Sequence, residues 1–174
     1  MRSLLLVGLL VGVASADARR ECKVFEDKAV TATDLGCFET LRWDQDYVYG
    51  TRVCLIRAAT DVCSGVVFEL DGPARFDPQI LDRVSCGGNG NTVTFKGTWV
   101  ACDMASRCTS TPLSFNGVLA GDRLRGAYTQ GDDKTKVSWK RTRKTFDTRA
   151  LVRKECKRKR PEPSAVPDAP FPDL

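Results

Sequence analysis

The chain has 174 residues, of which 27 are Lys or Arg, 22 are Asp or Glu, eight are Cys and none is His. Without histidine, classical Ser/His and Cys/His hydrolysis is excluded, and no C-x-x-C pair is present to build a zinc or redox site. We therefore expect neither an enzyme nor a cofactor or metal site, and the cysteines indicate an oxidising compartment.

Residues 1–18 have the features of an export signal. Arg2 supplies a positive start, an apolar run follows over 4–13, and two overlapping A-x-A cleavage sites end at Ala16 and Ala18. The apolar run is too short to span a bilayer as a retained anchor. We expect a secreted or periplasmic mature protein without a transmembrane segment, beginning with an N-terminal segment over 19–36 that has no clear period.

Alternating apolar and polar residues predict a β domain over 37–142. The alternation is weak at 41–43, 47–56, 66–70 and 80–86, and clear at 92–99, 113–117, 124–128 and 137–139. About eight short strands with short links predict an all-β fold, an antiparallel up-and-down meander that closes, or nearly closes, into a small barrel. A two-sheet β-sandwich is the alternative.

The inward-facing positions of this predicted barrel are large and apolar. They are Phe68, Phe95, Trp99, Phe115, Tyr128 and Trp139. Gly97, Gly117 and Gly126 share their face and are expected to open space beneath the tryptophans. This interior predicts a site for one small apolar or amphipathic ligand, or else a barrel filled by its own side chains.

In architecture alone, the pattern over 38–141 resembles the lipocalin and avidin-like meander barrels, the calycin-like architecture. A helix after the last strand would match lipocalins. The lipocalin G-x-W motif belongs to the first strand, whereas Gly97-Thr98-Trp99 lies mid-chain and Trp43 lacks the glycine. The resemblance therefore implies a barrel and no particular ligand.

All eight cysteines are candidates for structural disulfides that staple the barrel. They are Cys22, Cys37, Cys54, Cys63, Cys86, Cys102, Cys108 and Cys156. Eight cysteines allow roughly a hundred pairings. The meander favours Cys102–Cys108, Cys22–Cys156 and two bonds among the other four, with Cys54–Cys63 closing a hairpin.

Positive charge is concentrated near the C-terminus. Residues 134–160 carry thirteen Lys or Arg and two acids, whereas 161–174 carry five Pro, three acids and no basic residue. The basic segment over 143–160 predicts a short helix within 143–158, with Asp147 or Thr145 near its start. The proline-rich acidic tail is expected to be disordered.

Basic side chains are the strongest functional signal. Arg123, Arg125, Lys136 and Lys140 point outward from two neighbouring predicted strands, and a dense cluster follows them in the chain. The anion-binding candidates are Arg123, Arg125, Lys136, Lys140, Arg153, Lys154, Lys157, Arg158, Lys159 and Arg160. They predict an anionic polymer or membrane headgroups as partner, the alternative being a solvated face that keeps the protein soluble. Nucleic acid is not expected as the partner of an exported protein, and no base-reading or stacking motif accompanies the charge.

The function expected from the sequence is that of an exported β-barrel binding protein. Its ligand is a small apolar or amphipathic molecule in the barrel, or an anionic surface on the basic flank. The alternatives are a structural or interaction protein without a ligand, and a carboxylate-based hydrolase. Asp44 and Asp46, the closest acid pair, are read more simply as turn residues.

Overall fold

The computed structural model describes residues 24–59, 62–73, 78–87, 91–102, 107–144 and 146–158. These residues form nine β-strands and a C-terminal helix. The strands are β1 (Ala32–Asp44), β2 (Tyr47–Ala58), β3 (Cys63–Pro73), β4 (Gln79–Ile80), β5 (Arg83–Cys86), β6 (Thr92–Cys102), β7 (Cys108–Ala120), β8 (Arg123–Gln130) and β9 (Asp133–Arg141), and the helix is α1 (Thr148–Lys157). The predicted signal peptide and acidic tail lie outside the described residues, as do Cys22, Thr145, Lys159 and Arg160.

Eight of these strands close into an antiparallel barrel. Their order around the sheet is β2-β1-β9-β8-β7-β6-β5-β3, and pairing between β2 and β3 completes the circle. The short β4 lies outside the circle and pairs with β3 at Val66–Ile80 and Val67–Gln79. The predicted meander barrel is confirmed, and the sandwich alternative is not observed.

Two of the barrel's strand pairs are much shorter than the rest. Strands β6 and β7 pair continuously from Thr92–Val118 to Cys102–Cys108. Strands β3 and β5, by contrast, share one register pair, Cys63–Val84. The other short seam joins β1 to β9 at Phe38–Arg141 and Glu39–Lys140. One further backbone hydrogen bond lies beside each seam, from Leu81 N–H to the Gly65 carbonyl at 2.9 Å and from Thr142 N–H to the Cys37 carbonyl at 2.9 Å. Side-chain interactions reinforce both seams.

A disulfide crosses the first of these seams. Cys63–Cys86 joins β3 to β5, Cys37–Cys54 joins β1 to β2, and Cys102–Cys108 closes the β6–β7 connection. The Cys102–Cys108 prediction is confirmed. The Cys54–Cys63 prediction is wrong, because Cys37 and Cys54 are directly opposed across β1 and β2. Cys156 is also disulfide-bonded, and its predicted partner, Cys22, is outside the described residues.

Arg141 closes the second seam. Its guanidinium donates to the Leu35 carbonyl oxygen at 2.7 Å and lies over the Phe38 ring, 4.9 Å from its centroid. It also fills the space beside Gly36, where the β1 bulge has a φ of 99° and a Cβ would lie 2.1 Å from Arg141 Nη1. The positive φ favours glycine at this position, and the guanidinium occupies the space that a Cβ would take.

Two hydrophobic clusters form the core, one inside the barrel and one outside it beneath α1. In β2, Val53 and Leu55 point into the barrel, whereas Cys54 and Ile56 belong to the outer cluster. Helix α1 begins after Asp147, whose side chain caps it by accepting from the Ala150 backbone N–H at 2.8 Å. Helix α1 packs over the outer face of β1–β3. Consecutive residues over 51–56 in β2 and 63–68 in β3 are buried on both faces of the sheet, whereas in β1 this holds at Cys37 and Phe38.

The predicted inward position of Phe68 is therefore wrong. Phe68 belongs to the outer cluster, and its neighbour Val67 points into the barrel. Both residues are apolar, so alternation in β3 does not reveal which face is inside.

Aromatic rings fill the barrel interior. Trp139 stacks on Phe95 and Phe115, with ring centroids 6.4 and 5.3 Å apart, and meets Tyr128 edge-on at 5.2 Å. The expectation that glycines open space here is wrong: a Cβ at Gly117 would lie 2.5 Å from Phe115 Cζ. Gly126 and Gly97 are similarly closed by Phe115 and Leu113.

Removing the seam disulfide should cost more stability than removing the hairpin disulfide. The bridges span 23 residues (Cys63–Cys86) and 6 residues (Cys102–Cys108). From loop entropy alone we expect losses of about 3 and 2 kcal/mol in the free energy of unfolding for the respective Cys→Ser double variants. Urea denaturation of both double variants measures the difference. Equal losses would contradict the assigned role of Cys63–Cys86.

Candidate anion-binding surface

The outward-facing residues of β5–β9 form a basic surface, here called the basic wall. Arg123 lies directly opposite Lys140, and Arg83 directly opposite Lys96. The basic residues at outward positions are Arg83, Lys96, Arg123, Arg125, Lys134, Lys136 and Lys140. Among the strand residues described on this face, no outward position carries Asp or Glu. The outward strand positions therefore carry charge of one sign, while the Asp82 carboxylate, which precedes β5, accepts from the outward-facing Thr98 hydroxyl at 3.2 Å.

Most of these cations lack an anionic partner in the described part of the chain. Lys96, Arg125, Lys134 and Lys136 make no ion pair there. Arg123 donates to the Ser138 hydroxyl at 3.2 Å, which leaves its charge in place. Like charges on neighbouring strands repel one another, and a bound anion would relieve that repulsion.

A shallow depression of about 410 Å³ lies in the middle of the wall. Hydroxyl groups lie there between the cations, since Ser114 and Thr129 separate Lys96 from Lys134 in the strand register. Its lining residues are Arg83, Thr94, Phe95, Lys96, Ser114, Asn116, Ala127, Thr129 and Lys134, together with Phe115. The depression thus combines cations with neutral hydrogen-bonding groups.

A second depression, the seam cleft, of about 460 Å³, opens where β1 diverges from β9. Beyond Glu39, β1 continues with β2 to the Asp44–Tyr47 end of their hairpin rather than with β9. The cleft is lined by Glu39, Thr40, Leu41, Trp43, Arg52, Lys140, Arg141, Thr142, Arg143 and Lys144. Lys140 belongs to both the wall and the cleft, so the two surfaces are continuous.

Two of the cations in the seam cleft have structural roles. Arg52 is buried, pairs with Glu39 at 2.6 Å and lies 4.6 Å from the centroid of the Phe146 ring. Arg141 holds the seam as described above. Lys140, Arg143 and Lys144, by contrast, are exposed and make no ion pair with any described residue.

The structure divides the predicted anion-binding residues between two surfaces. Arg123, Arg125, Lys136 and Lys140 lie together on the wall. Arg153, Lys154 and Lys157 lie on α1, which packs over the outer face of β1–β3, and Arg158 caps its C-terminal end. Arg158 approaches Glu155 at 3.7 Å.

Sequence reasoning missed the wall positions Arg83, Lys96 and Lys134 and the cleft residue Trp43. The alternation around Lys96 does show that it points outward. That Lys96 and Lys134 line one depression follows from the strand order, which the local pattern does not contain.

A polar group is also present inside the barrel. The Tyr128 hydroxyl donates to Glu69 Oε1, and the Thr51 hydroxyl donates to Glu69 Oε2 at 3.0 Å. Burial raises the pKa of the Glu69 carboxyl above its ordinary value of 4.5, against the opposing effect of both hydrogen bonds. The pKa of the Tyr128 hydroxyl is also raised, mainly by its burial and further by the negative charge of Glu69 and the hydrogen bond to it. The nearby Trp139 Nε1 is buried and has no hydrogen-bond partner among the described residues.

No protein-family model, curated protein or solved structure matches this chain. Within the described ranges, no helix has the length and apolar character needed to span a bilayer. Those same ranges hold no group of three or more His, Cys, Asp or Glu side chains arranged for a metal ion.

Glu69 should make the stability of the protein depend on pH. Because its pKa is raised in the folded state, the fold loses stability as pH rises from 4.5 through that raised pKa. We expect Glu69→Gln, which keeps an acceptor for Tyr128, to gain stability relative to wild type over this window. Each pKa unit of the shift corresponds to about 1.4 kcal/mol.

Urea denaturation between about pH 4 and 8 measures this difference. Asp44→Asn controls for the loss of an exposed carboxylate. A stability difference between Glu69→Gln and wild type that does not change with pH would contradict the assignment.

Proposed function

We propose that the protein is an exported binding protein that holds an anionic polymer on its basic wall. The observation that carries the proposal is the absence of acids from the outward strand positions described on β5–β9, where seven basic residues lie. A polymer contacts many such cations at once and releases its counterions, which produces salt-dependent affinity.

Several features favour a polymer over a membrane. The wall consists mainly of cations, hydroxyls and amides. Among its described positions, Val118 is the large apolar side chain that is exposed, at 47%. Peripheral membrane binding usually combines basic residues with apolar side chains that enter the acyl boundary. A soluble anionic chain requires no such insertion.

The wall is equally poor in groups that read nucleic acids. Its described outward strand positions carry no aromatic side chain on which bases could stack. The paired cysteines and the signal-like segment over 1–18 support a secreted or periplasmic location. These points favour an extracellular polyanion.

The side chains available favour a binding protein over an enzyme. The chain contains no histidine, and both Glu69 oxygens accept hydrogen bonds from Tyr128 and Thr51. Asp44 and Asp46 lie exposed at the β1–β2 turn, where aspartates commonly occur.

One observation favours a second candidate function, the binding of a small amphipathic ligand in the barrel. Trp139 Nε1 is a buried donor for which the described part of the chain supplies no acceptor, and buried polar groups normally have partners. The packed rings around Trp139 count against it, because a ligand would have to displace one of them. Quenching of tryptophan fluorescence by a fatty acid, abolished in Trp139→Phe, would support this function. Unchanged fluorescence would reject it.

The proposed function predicts that neutralising wall lysines weakens polyanion binding. We expect Lys96→Gln/Lys134→Gln to reduce the slope of log K against log salt by about two, since each lysine contributes roughly one counterion. Titration with a heparin oligosaccharide between about 50 and 300 mM NaCl measures this slope.

Lys154→Gln/Lys157→Gln is the matched control, because it removes the same charge from exposed positions on α1. Its slope should stay closer to that of wild type. Equal losses in the two double variants would show that net charge, rather than the wall, determines binding.

A further inference from the structure

The seam cleft combines an exposed aromatic side chain with unpaired cations. Trp43 is 58% exposed although it is large and apolar. It lies on the same face of β1 as Leu41, and both line the cleft with Lys140, Arg143 and Lys144. The basic wall has no comparable aromatic platform among its described strand residues.

We propose that the seam cleft binds a sugar ring bearing a carboxylate or sulfate group, and hence that the anionic polymer is an acidic polysaccharide. The inference rests on the proposed function and adds a recognition site to it. Trp43 packs on the apolar face of the ring, and Lys140, Arg143 and Lys144 pair with its anionic group.

The charges of the cleft favour an anion. Its acid, Glu39, is already paired with Arg52 at 2.6 Å, so neither group offers a full charge to a ligand. Lys140, Arg143 and Lys144 make no ion pair with a described residue. An entering anion therefore meets three uncompensated cations.

The remaining lining groups fit a sugar better than a bare anion or a nucleobase. Thr40 and Thr142 contribute hydroxyls that can exchange hydrogen bonds with a hydroxyl-rich ring. A bare phosphate or sulfate would use the cations but not the indole. Single-stranded nucleic acid requires a series of stacking platforms, whereas Trp43 is the aromatic residue lining this cleft.

A membrane surface is the less suitable partner for this site. Asp44 and Asp46 follow Trp43 at the exposed hairpin end. Neither carboxylate lines the cleft, so a single sugar ring seated there does not meet them. An anionic bilayer that takes up the Trp43 indole would be brought against both carboxylates, which carry the same charge.

The geometry also connects the cleft to the wall. Lys140 lies opposite Arg123 on the wall and lines the cleft as well. One polysaccharide chain can therefore contact the wall along its length and place one ring against Trp43.

The test replaces Trp43 in the full chain and compares polyanions with and without sugar rings. We expect Trp43→Ala to weaken binding of a heparin oligosaccharide roughly tenfold, as for one aromatic contact in an interface. Binding of inorganic polyphosphate should be unchanged, and the salt slope should remain that of wild type because no charge is lost. Trp43→Phe should retain most of the affinity.

Tyr47→Ala is the matched control. Tyr47 is 46% exposed on the same hairpin, but its side chain is on the opposite face from Trp43 and does not line the cleft. The Tyr47→Ala variant should bind the heparin oligosaccharide with the affinity of wild type. Circular dichroism and the urea midpoint establish that each variant is folded.

The outcomes separate this inference from the proposed function. Salt-dependent heparin binding that Trp43→Ala leaves intact would overturn the cleft site and leave the wall function standing. An equal loss towards polyphosphate, single-stranded DNA or anionic phosphatidylserine vesicles would overturn the assignment to saccharides. Failure of wild type to bind any polyanion would overturn the proposed function itself.

Discussion

Closure of the barrel depends on holding together two seams that share few backbone hydrogen bonds. At the β3–β5 seam, the Cys63–Cys86 disulfide supplies a covalent link. At the β1–β9 seam, Arg141 donates to the Leu35 carbonyl and covers the Phe38 ring. The bulge at Gly36 makes room for its guanidinium. Because closure removes exposed strand edges, both seams protect the sheet as well as shaping it.

The β1–β9 seam also creates the cleft. Strand β1 stays paired with β2 up to Asp44 but pairs with β9 only at Phe38 and Glu39, so β1 and β9 separate beyond Glu39. Trp43 therefore remains exposed beside the cations at the end of β9 and after it. The same local geometry thus completes the barrel at one end and opens a surface site at the other. The packed interior, where Phe115 lies against Gly117, favours these outer surfaces as binding sites.

Sequence patterns were most informative where one face of a strand meets water. In β6 to β9, apolar and polar residues alternate because one face packs inside and the other is solvated, so Phe95, Phe115 and Trp139 were assigned to the interior from sequence alone. In β3, α1 covers the outer face, and Val66, Val67 and Phe68 are all buried. A pattern without polar positions could not show which of them faces inward, and Phe68 was misassigned for this reason.

The chain by itself determined the β class, the oxidised cysteines and the concentration of positive charge, because local alternation and composition depend only on neighbouring residues. The three-dimensional arrangement alone decided the partners of Cys37, Cys54, Cys63 and Cys86 and the separation of the basic residues into a wall and a helix. It also placed Lys96 and Lys134 around one depression, and Trp43 and Lys140 around one cleft. These proximities follow from strand order and closure, which join residues distant in sequence, and no local pattern encodes them.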